Sequence, residues 1–397
     1  MNLSNLSLST RLHSLVIFRS LLQDPVVKEL ERLFSSSGNT PTELVDAWSG
    51  FCSQLFAHTV NWSDYLLNRI TESENIYVLA CCKNDVSPTL QNCLKWELDF
   101  LQELSQFSGE EIVSQMQFDF PLPRWECSQI DFHQEYSHYL QQLSQKGYGI
   151  FAQYSFFTVK DGALCPVKYP DCQTLQELSG YERERQQVID NTEALLKGAP
   201  AANVLLYGDA GTGKSSTVKA VAAAFAPKGL RLIEVKKSQL YQIPSLVDSL
   251  ANNPLKFILF IDDLSFSTND DDFAALKAIL EGSVSGRTSN LVVYATSNRR
   301  HLIKETLSDR QGDDIHLADT MQELMSLSAR FGLTITYSRP DKDAYLSIVH
   351  DLARLYEVDM EQTQLDTRAE AHAIRHGGRS PRVAKQFIQS LKTQHHT

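Results

Sequence analysis

The sequence predicts three parts in order: a mainly helical amino-terminal domain ending in a β-hairpin, an α/β core with a parallel sheet, and a small all-helical lid. Three observations carry this. Before Gly147, apolar residues recur at helical spacing. After Gly180, short apolar runs alternate with helical stretches, the pattern of strands joined by helical crossovers into a parallel sheet. Past Pro340 the strand-like runs stop and helical periodicity takes over. The corresponding limits are 1–172, 173–339 and 340–397.

Taken in order, residues 11–34 read as one helix, with Leu12, Leu15, Val16, Leu21 and Leu22 at helical spacings, ended by the Ser35–Asn39 cluster. Further helical patterns fall at Pro41–His58, Trp62–Arg69 and Leu90–Phe107. Between Gly147 and Tyr169 the character turns to β, and the Asp161-Gly162 turn pairs Phe156–Lys160 with Ala163–Lys168. Pro170–Glu177 is the junction. Five buried strands follow: Asn203–Tyr207, Leu230–Val235, Phe257–Ile261, Leu291–Thr296 and Leu333–Tyr337. Helices are expected to begin near Gly213, Pro244, Phe273 and Met321. In the lid, Tyr345, Ile348, Val349, Leu352, Leu355 and Tyr356 mark an amphipathic helix. A last helix is announced by Ser380 as N-cap and Pro381 at its first position.

Composition bounds the function classes. The chain has 397 residues, 42% of them apolar and 21% charged, with a net charge of −11. Residues 1–180 hold 11 Lys/Arg against 21 Asp/Glu, so the front is a poor nucleic-acid surface, where cations dominate affinity. The longest apolar runs, such as Phe257–Ile261, are too short to span a bilayer. No signal peptide is read, because Arg19 interrupts the apolar run Leu12–Leu22 and no small-residue cleavage site follows. The expected compartment is the cytoplasm, with no membrane partner. The seven cysteines (Cys52, Cys81, Cys82, Cys93, Cys127, Cys165 and Cys172) include no C-x-x-C pair, so reduced thiols are expected rather than zinc or disulfides.

The chemistry lies after Gly180. Gly208-Asp209-Ala210-Gly211-Thr212-Gly213-Lys214-Ser215 fits G-x-x-x-x-G-K-[ST], follows an apolar strand and opens a helix that Ser216 continues. Such glycines let successive N–H groups converge on phosphate oxygens at a helix N-terminus. Lys214 is placed to reach the β- and γ-phosphates of ATP, and the Ser215 hydroxyl to ligate Mg²⁺. The strand Phe257–Ile261 ends in Asp262-Asp263. There Asp262 is a candidate for holding Mg²⁺ and Asp263 for orienting the attacking water. Asp263 is one methylene shorter than the Glu common at this place, which points to slow hydrolysis or help from another residue. The strand from Leu291 runs into Asn298, an amide in reach of the γ-phosphate or the water.

This order of P-loop, double-acid strand, strand ending in Asn, Ser328-Ala329-Arg330-Phe331-Gly332, and Ser380-Pro381-Arg382 in a helical lid resembles the AAA+ superfamily. Tyr207–Gly213, Phe257–Ser265, Tyr294–His301 and Arg330–Thr336 further resemble a bacterial family of AAA+ ATPases known mainly as a domain of unknown function, which also carries Asp-Asp. The resemblance covers Leu178 to Leu391. It implies that Gly180 and Tyr181 lie beside the adenine, that Arg330 reaches a neighbouring subunit's γ-phosphate, and that Arg382, with Arg379 as runner-up, senses nucleotide in its own subunit. The family relation therefore implies an ATPase that is a homo-oligomer and remodels or loads an unidentified protein or nucleoprotein client. The alternative is an ATP-switched module that hydrolyses negligibly and presents the acidic front domain to a partner. Tyr241, where unfoldases carry a pore loop, lacks the aromatic-apolar-Gly triplet and reads as a partly buried loop tyrosine. The basic stretch Asn298–Arg310 is diluted by Asp309, Asp313 and Asp314, so nucleic acid has no support beyond superfamily analogy. The acidic run Asn269–Asp272 reads as a helix N-terminus.

Overall fold

The computed structural model describes residues 3–36, 40–110, 112, 120–264, 275–277, 279–280, 290–298 and 330–394. The chain divides into two compact units, Met1–Gln153 and Tyr154–Thr397.

The first unit is helical: α1 (Leu3–His13), α2 (Pro25–Ser36), α3 (Pro41–Phe56), α4 (Trp62–Glu72), α5 (Ile76–Cys82), α6 (Pro88–Ser105) and α7 (Phe132–Gln141), then two single turns at Leu143–Lys146 and Ile150–Gln153. Helix starts follow local chemistry. Thr40 and Glu43 form a capping box before Pro41, and Ser87 caps α6 before Pro88. The core is aromatic, with Trp48, Phe51 and Trp62 buried and the indole N–H of Trp62 donated to the Leu104 carbonyl at 2.9 Å. The single helix expected over 11–34 is instead broken into α1, a 3₁₀ turn at Arg19–Gln23, and α2. Two carboxylates hold the break. Glu97, buried on α6, accepts the N–H groups of Val16, Ile17 and Phe18 at 2.7–3.1 Å, and Asp24 accepts those of Val26 and Val27 ahead of Pro25. Backbone donors left by the break, after α1 and at the start of α2, thus find buried carboxylate partners, which makes the break stable.

The second unit is built on one seven-stranded sheet: β1 (Phe156–Lys160), β2 (Ala163–Pro166), β3 (Val204–Gly208), β4 (Leu230–Val235), β5 (Lys256–Ile261), β6 (Leu291–Ser297) and β7 (Leu333–Tyr337), in spatial order β2-β1-β4-β5-β6-β3-β7. All pairs are parallel except the β1–β2 hairpin. Strands β4, β5 and β6 are almost wholly buried, as strands of a two-sided parallel sheet should be, and β4 carries the buried Arg231 among its apolar residues. The hairpin forms with the expected register, Lys160 opposite Ala163. It does not close the helical unit, however. β1 pairs in parallel with β4 through Phe156↔Leu232 to Thr158↔Glu234, and Phe157 is fully buried, so the hairpin extends the α/β sheet. The division between units accordingly falls at 153/154, where the polar junction at 170–177 had placed it at 172.

Around the sheet lie α8 (Glu182–Leu196), α9 (Lys214–Phe225) and α10 (Ile243–Leu250), and the chain ends in α11 (Lys342–Leu355), α12 (Gln362–Arg375) and α13 (Pro381–Gln394). The last three share their own apolar cluster, centred on Tyr345, Ile348, Val349, Phe387 and Ile388. Ser380 accepts the Val383 N–H at 3.3 Å, the N-cap expected of it. The helix starts expected near Phe273 and Met321, the acidic run Asn269–Asp272, the basic residues after Asn298 and the Ser328-Ala329 pair lie outside the described residues. Among the described residues no helix is long and apolar enough to cross a membrane.

Candidate functional site

Because β5, β6 and β3 are consecutive and parallel, their carboxyl ends emerge side by side on one edge of the sheet, where α/β folds place ligands. Each end carries one of the sequence motifs. β3 delivers the P-loop, β5 delivers Asp262-Asp263, and β6 delivers Asn298.

Gly208 ends β3 opposite Tyr337 of β7. Its φ is 138°, and a Cβ built there would stand 2.1 Å from the Tyr337 carbonyl oxygen, so only glycine fits. Gly208→Ala is expected to cost at least about 3 kcal/mol of stability, because the obstruction is backbone that cannot yield. Urea unfolding of the variant measures this, and an unchanged midpoint would contradict it. Asp209 turns away from the loop: its carboxylate accepts the Arg339 N–H at 2.9 Å, tying the P-loop to the strand that leads into the lid. Gly211 meets the lid directly. A Cβ on it would lie 3.2 Å from the Ser380 hydroxyl and 3.3 Å from Cβ of Arg382, and the Gly211 carbonyl accepts the Arg382 N–H at 3.2 Å.

Lys214 starts α9 and is 6% exposed. Its ammonium donates to the carbonyls of Gly208 (2.9 Å) and Asp209 (2.8 Å) and to Oδ1 of Asn298 (3.0 Å). Burial pushes its pKa below that of an ordinary lysine, opposed by the negative charges of Asp209, Asp263 and Asp262. The Asn298 amide completes a chain by donating Nδ2 to Oδ1 of Asp263 at 2.8 Å. Asn298 therefore bridges the lysine and the second acid. The neighbouring Ser215 hydroxyl donates to Oδ1 of Asp262 at 2.6 Å. Hydroxyl and carboxylate oxygens at the mouth of a phosphate loop are the hard donors that Mg²⁺ takes alongside substrate phosphates, so these two residues fit that ion. No cluster of three His, Cys, Asp or Glu side chains capable of holding a metal by themselves occurs among the described residues.

These groups line one cleft of about 430 Å³, a volume suited to a small ligand. Its walls include Gly180, Tyr181, Ala210, Gly211, Thr212, Gly213, Lys214, Ser215, Ser216, Asp262, Asp263 and Asn298 from the core, and Arg382 from the lid. Tyr181 stacks on Tyr337, with ring centroids 5.0 Å apart, and donates its hydroxyl to the Ser338 carbonyl. Its backbone is left-handed (φ 58°), and burial raises its pKa. The apolar end of the cleft is closed by Leu178, Ile348 and Leu352.

Three expected residues lie elsewhere. Gly208 and Asp209 support the cleft without lining it, and Arg330, half-buried just before β7, does not line it either. Of the two lid arginines, Arg382 faces the cleft, while Arg379 is held in a two-pronged ion pair with Glu370 at 2.9 and 2.6 Å. Tyr241 is 68% exposed, against the expectation of partial burial: the 3₁₀ turn Lys237–Gln242 buries Leu240 instead and turns the tyrosine outward. Sequence reading missed Thr296, a buried hydroxyl in the cleft wall, and the lid residues Ile348 and Leu352 as cleft residues rather than core alone.

A parallel sheet with a Gly-rich loop, an acid pair and an amide at three adjacent carboxyl ends, closed by a helical lid, is the architecture of a P-loop fold of the AAA+ type. The chain belongs to the family described as "Protein of unknown function (DUF815)", whose model matches residues 151–395, all but coincident with the second unit. No curated protein matches the chain. Among solved structures it is similar to the Holliday junction branch migration motor RuvB of Thermotoga maritima, at 17% identity over 55% of this chain and 64% of that one, with a TM-score of 0.38. It is also similar to the ORC2 protein of Aeropyrum pernix in its ADPNP–ADP complexes, at 14% identity over 57% of this chain and 71% of that one, with a TM-score of 0.39. The chain thus spans less than two thirds of the RuvB chain's length.

Proposed function

We propose that the protein is an ATPase that binds ATP with Mg²⁺ in the cleft between core and lid and hydrolyses it at a subunit interface. The observation that carries this reading is the hydrogen-bonded chain Lys214–Asn298–Asp263, which joins the phosphate-binding cation to the acid suited to orient water. In this scheme Gly180 and Tyr181 border the base, and the backbone from Ala210 to Gly213 cradles the phosphates. Lys214 and Ser216 act at the start of α9, Ser215 and Asp262 hold the metal, and Arg382 contacts phosphate from the lid. Mg²⁺ supplies neutralisation of phosphate charge. Asp263, steadied by Asn298, accepts a hydrogen bond from the attacking water and fixes its direction. Arg330 lies outside its own cleft, which favours a role in a neighbour's site and hence a homo-oligomer. Subunit rearrangement driven by the nucleotide would then act on an unidentified protein or nucleoprotein client.

The cytoplasm is the compartment we assign. All seven cysteines are free, and burial pushes the thiols of Cys52, Cys82 and Cys93 up to about 11, which favours inert, reduced thiols. ATP turnover as a function of protein concentration, with Mg²⁺ and with Lys214→Ala as blank, tests the proposal. Turnover per subunit that rises with concentration supports a shared site. Binding without turnover at any concentration favours the switch module instead.

A further inference from the structure

Thr296 stands one residue before the end of β6 and is 2% exposed, so water does not compete for its hydroxyl. That hydroxyl has one proton and two lone pairs. It donates to Oδ1 of Asp262 at 2.6 Å and accepts the N–H of Asp263 at 2.9 Å. Its own carbonyl accepts the Leu264 N–H at 2.7 Å. One residue of β6 therefore fastens three consecutive residues at the end of β5.

Two consequences follow from this clamp. First, Asp263 has a left-handed backbone, φ 52°, a conformation that L side chains seldom adopt and that its surroundings must hold. The Thr296 hydroxyl and carbonyl grip the N–H groups on either side of that strained centre, and the turn they enforce delivers the short Asp263 side chain to Asn298. Second, Oδ1 of Asp262 accepts from Thr296, Ser215 and the Asp263 N–H together. Ser215 is itself placed to meet the metal, so it is not a permanent partner for that oxygen. Thr296 is, and it fixes which way the carboxylate faces.

We propose that Thr296 is a positioning residue of the nucleotide site: it orients the Asp262 carboxylate toward Mg²⁺ and holds the Asp263 turn that lets aspartate serve where a longer acid is usual. The inference rests on the reading of the cleft as an ATP–Mg²⁺ site. It is tested on the full chain with a fluorescent ATP analogue, titrating Mg²⁺ into wild type, Thr296→Val and Thr296→Ser, with melting temperatures recorded alongside. Thr296→Val, equal in volume but without the hydroxyl, is expected to bind the analogue without Mg²⁺ within about threefold of wild type. It should need about tenfold more Mg²⁺ for the half-maximal gain in binding, the scale on which partners of metal ligands act. Its kcat should fall about 30-fold with little change in KM, as for loss of an outer-sphere partner. Thr296→Ser should keep both properties near wild type. An unchanged Mg²⁺ response in Thr296→Val, or a serine variant as impaired as the valine one, overturns the proposal. Should Thr296→Val fail to fold, Thr296→Cys keeps the volume with only a weak donor and serves the same comparison. A wild-type chain that binds no nucleotide overturns the cleft reading itself, and this inference with it.

Discussion

Lys214→Ala is expected to weaken ATP binding by at least on the order of 10²-fold, about 3 kcal/mol, as loss of a buried cation facing phosphate should. The ammonium is already gathered by three acceptors at 2.8–3.0 Å, so its position is fixed before any phosphate arrives and little is lost in ordering it. Lys214→Arg should fare little better, since the guanidinium is planar and too broad for a site built around a compact ammonium. Calorimetric titration with ATP measures both. Affinity near wild type in Lys214→Ala would show that the loop at Gly208–Ser215 is not the phosphate cradle.

Arg330→Ala is expected to leave ATP affinity within about threefold and to reduce turnover on the order of 10³-fold, the range found for arginines that stabilise charge on a transferring phosphoryl group. The decisive form of the experiment is mixing. A Lys214→Ala subunit has a dead cleft but an intact Arg330, and an Arg330→Ala subunit has the converse. If the arginine serves a neighbour's cleft, equal mixing restores part of the turnover that neither variant has alone. Absence of recovery, with assembly verified by light scattering, assigns the arginine to its own subunit. Normal turnover in Arg330→Ala removes it from the mechanism altogether.

What could be read from sequence was what the chain writes in consecutive residues. The P-loop occupies eight adjacent positions, and Asp262-Asp263 and Asn298 follow directly on apolar runs. Strand, loop and helix were therefore placed within a residue or two of where they lie. Ser380-Pro381 fixed the start of α13 by the same local logic. The failures are non-local. Apolar spacing continues smoothly from Leu12 to Leu22, yet the helix breaks, because the carboxylate that rewards breaking belongs to Glu97, some 80 positions away. The β1–β2 hairpin was legible from Asp161-Gly162, but its partner β4 was not, since parallel pairing leaves no turn signal. Thr296 is invisible for a different reason. Threonine is common in strands, and nothing in the spacing distinguishes one that fills space from one that grips a neighbouring turn. Arg379 and Arg382 are three apart on the chain, and only the Glu370 pairing separates them.

The hairpin's place in the sheet also sets where this protein can be cut. β1 covers the outer edge of β4, its Phe156 belongs to the second unit's apolar core, and Phe157 beside it is fully buried. Trimming the chain at the polar junction near 172, the natural choice from composition, strips that cover. It leaves Leu230–Val235, a six-residue strand with four apolar side chains, as a bare border with open N–H and C=O groups. Such borders recruit other strands, so the shortened protein should clump rather than stay dispersed. Trimming before Tyr154 keeps the border sealed.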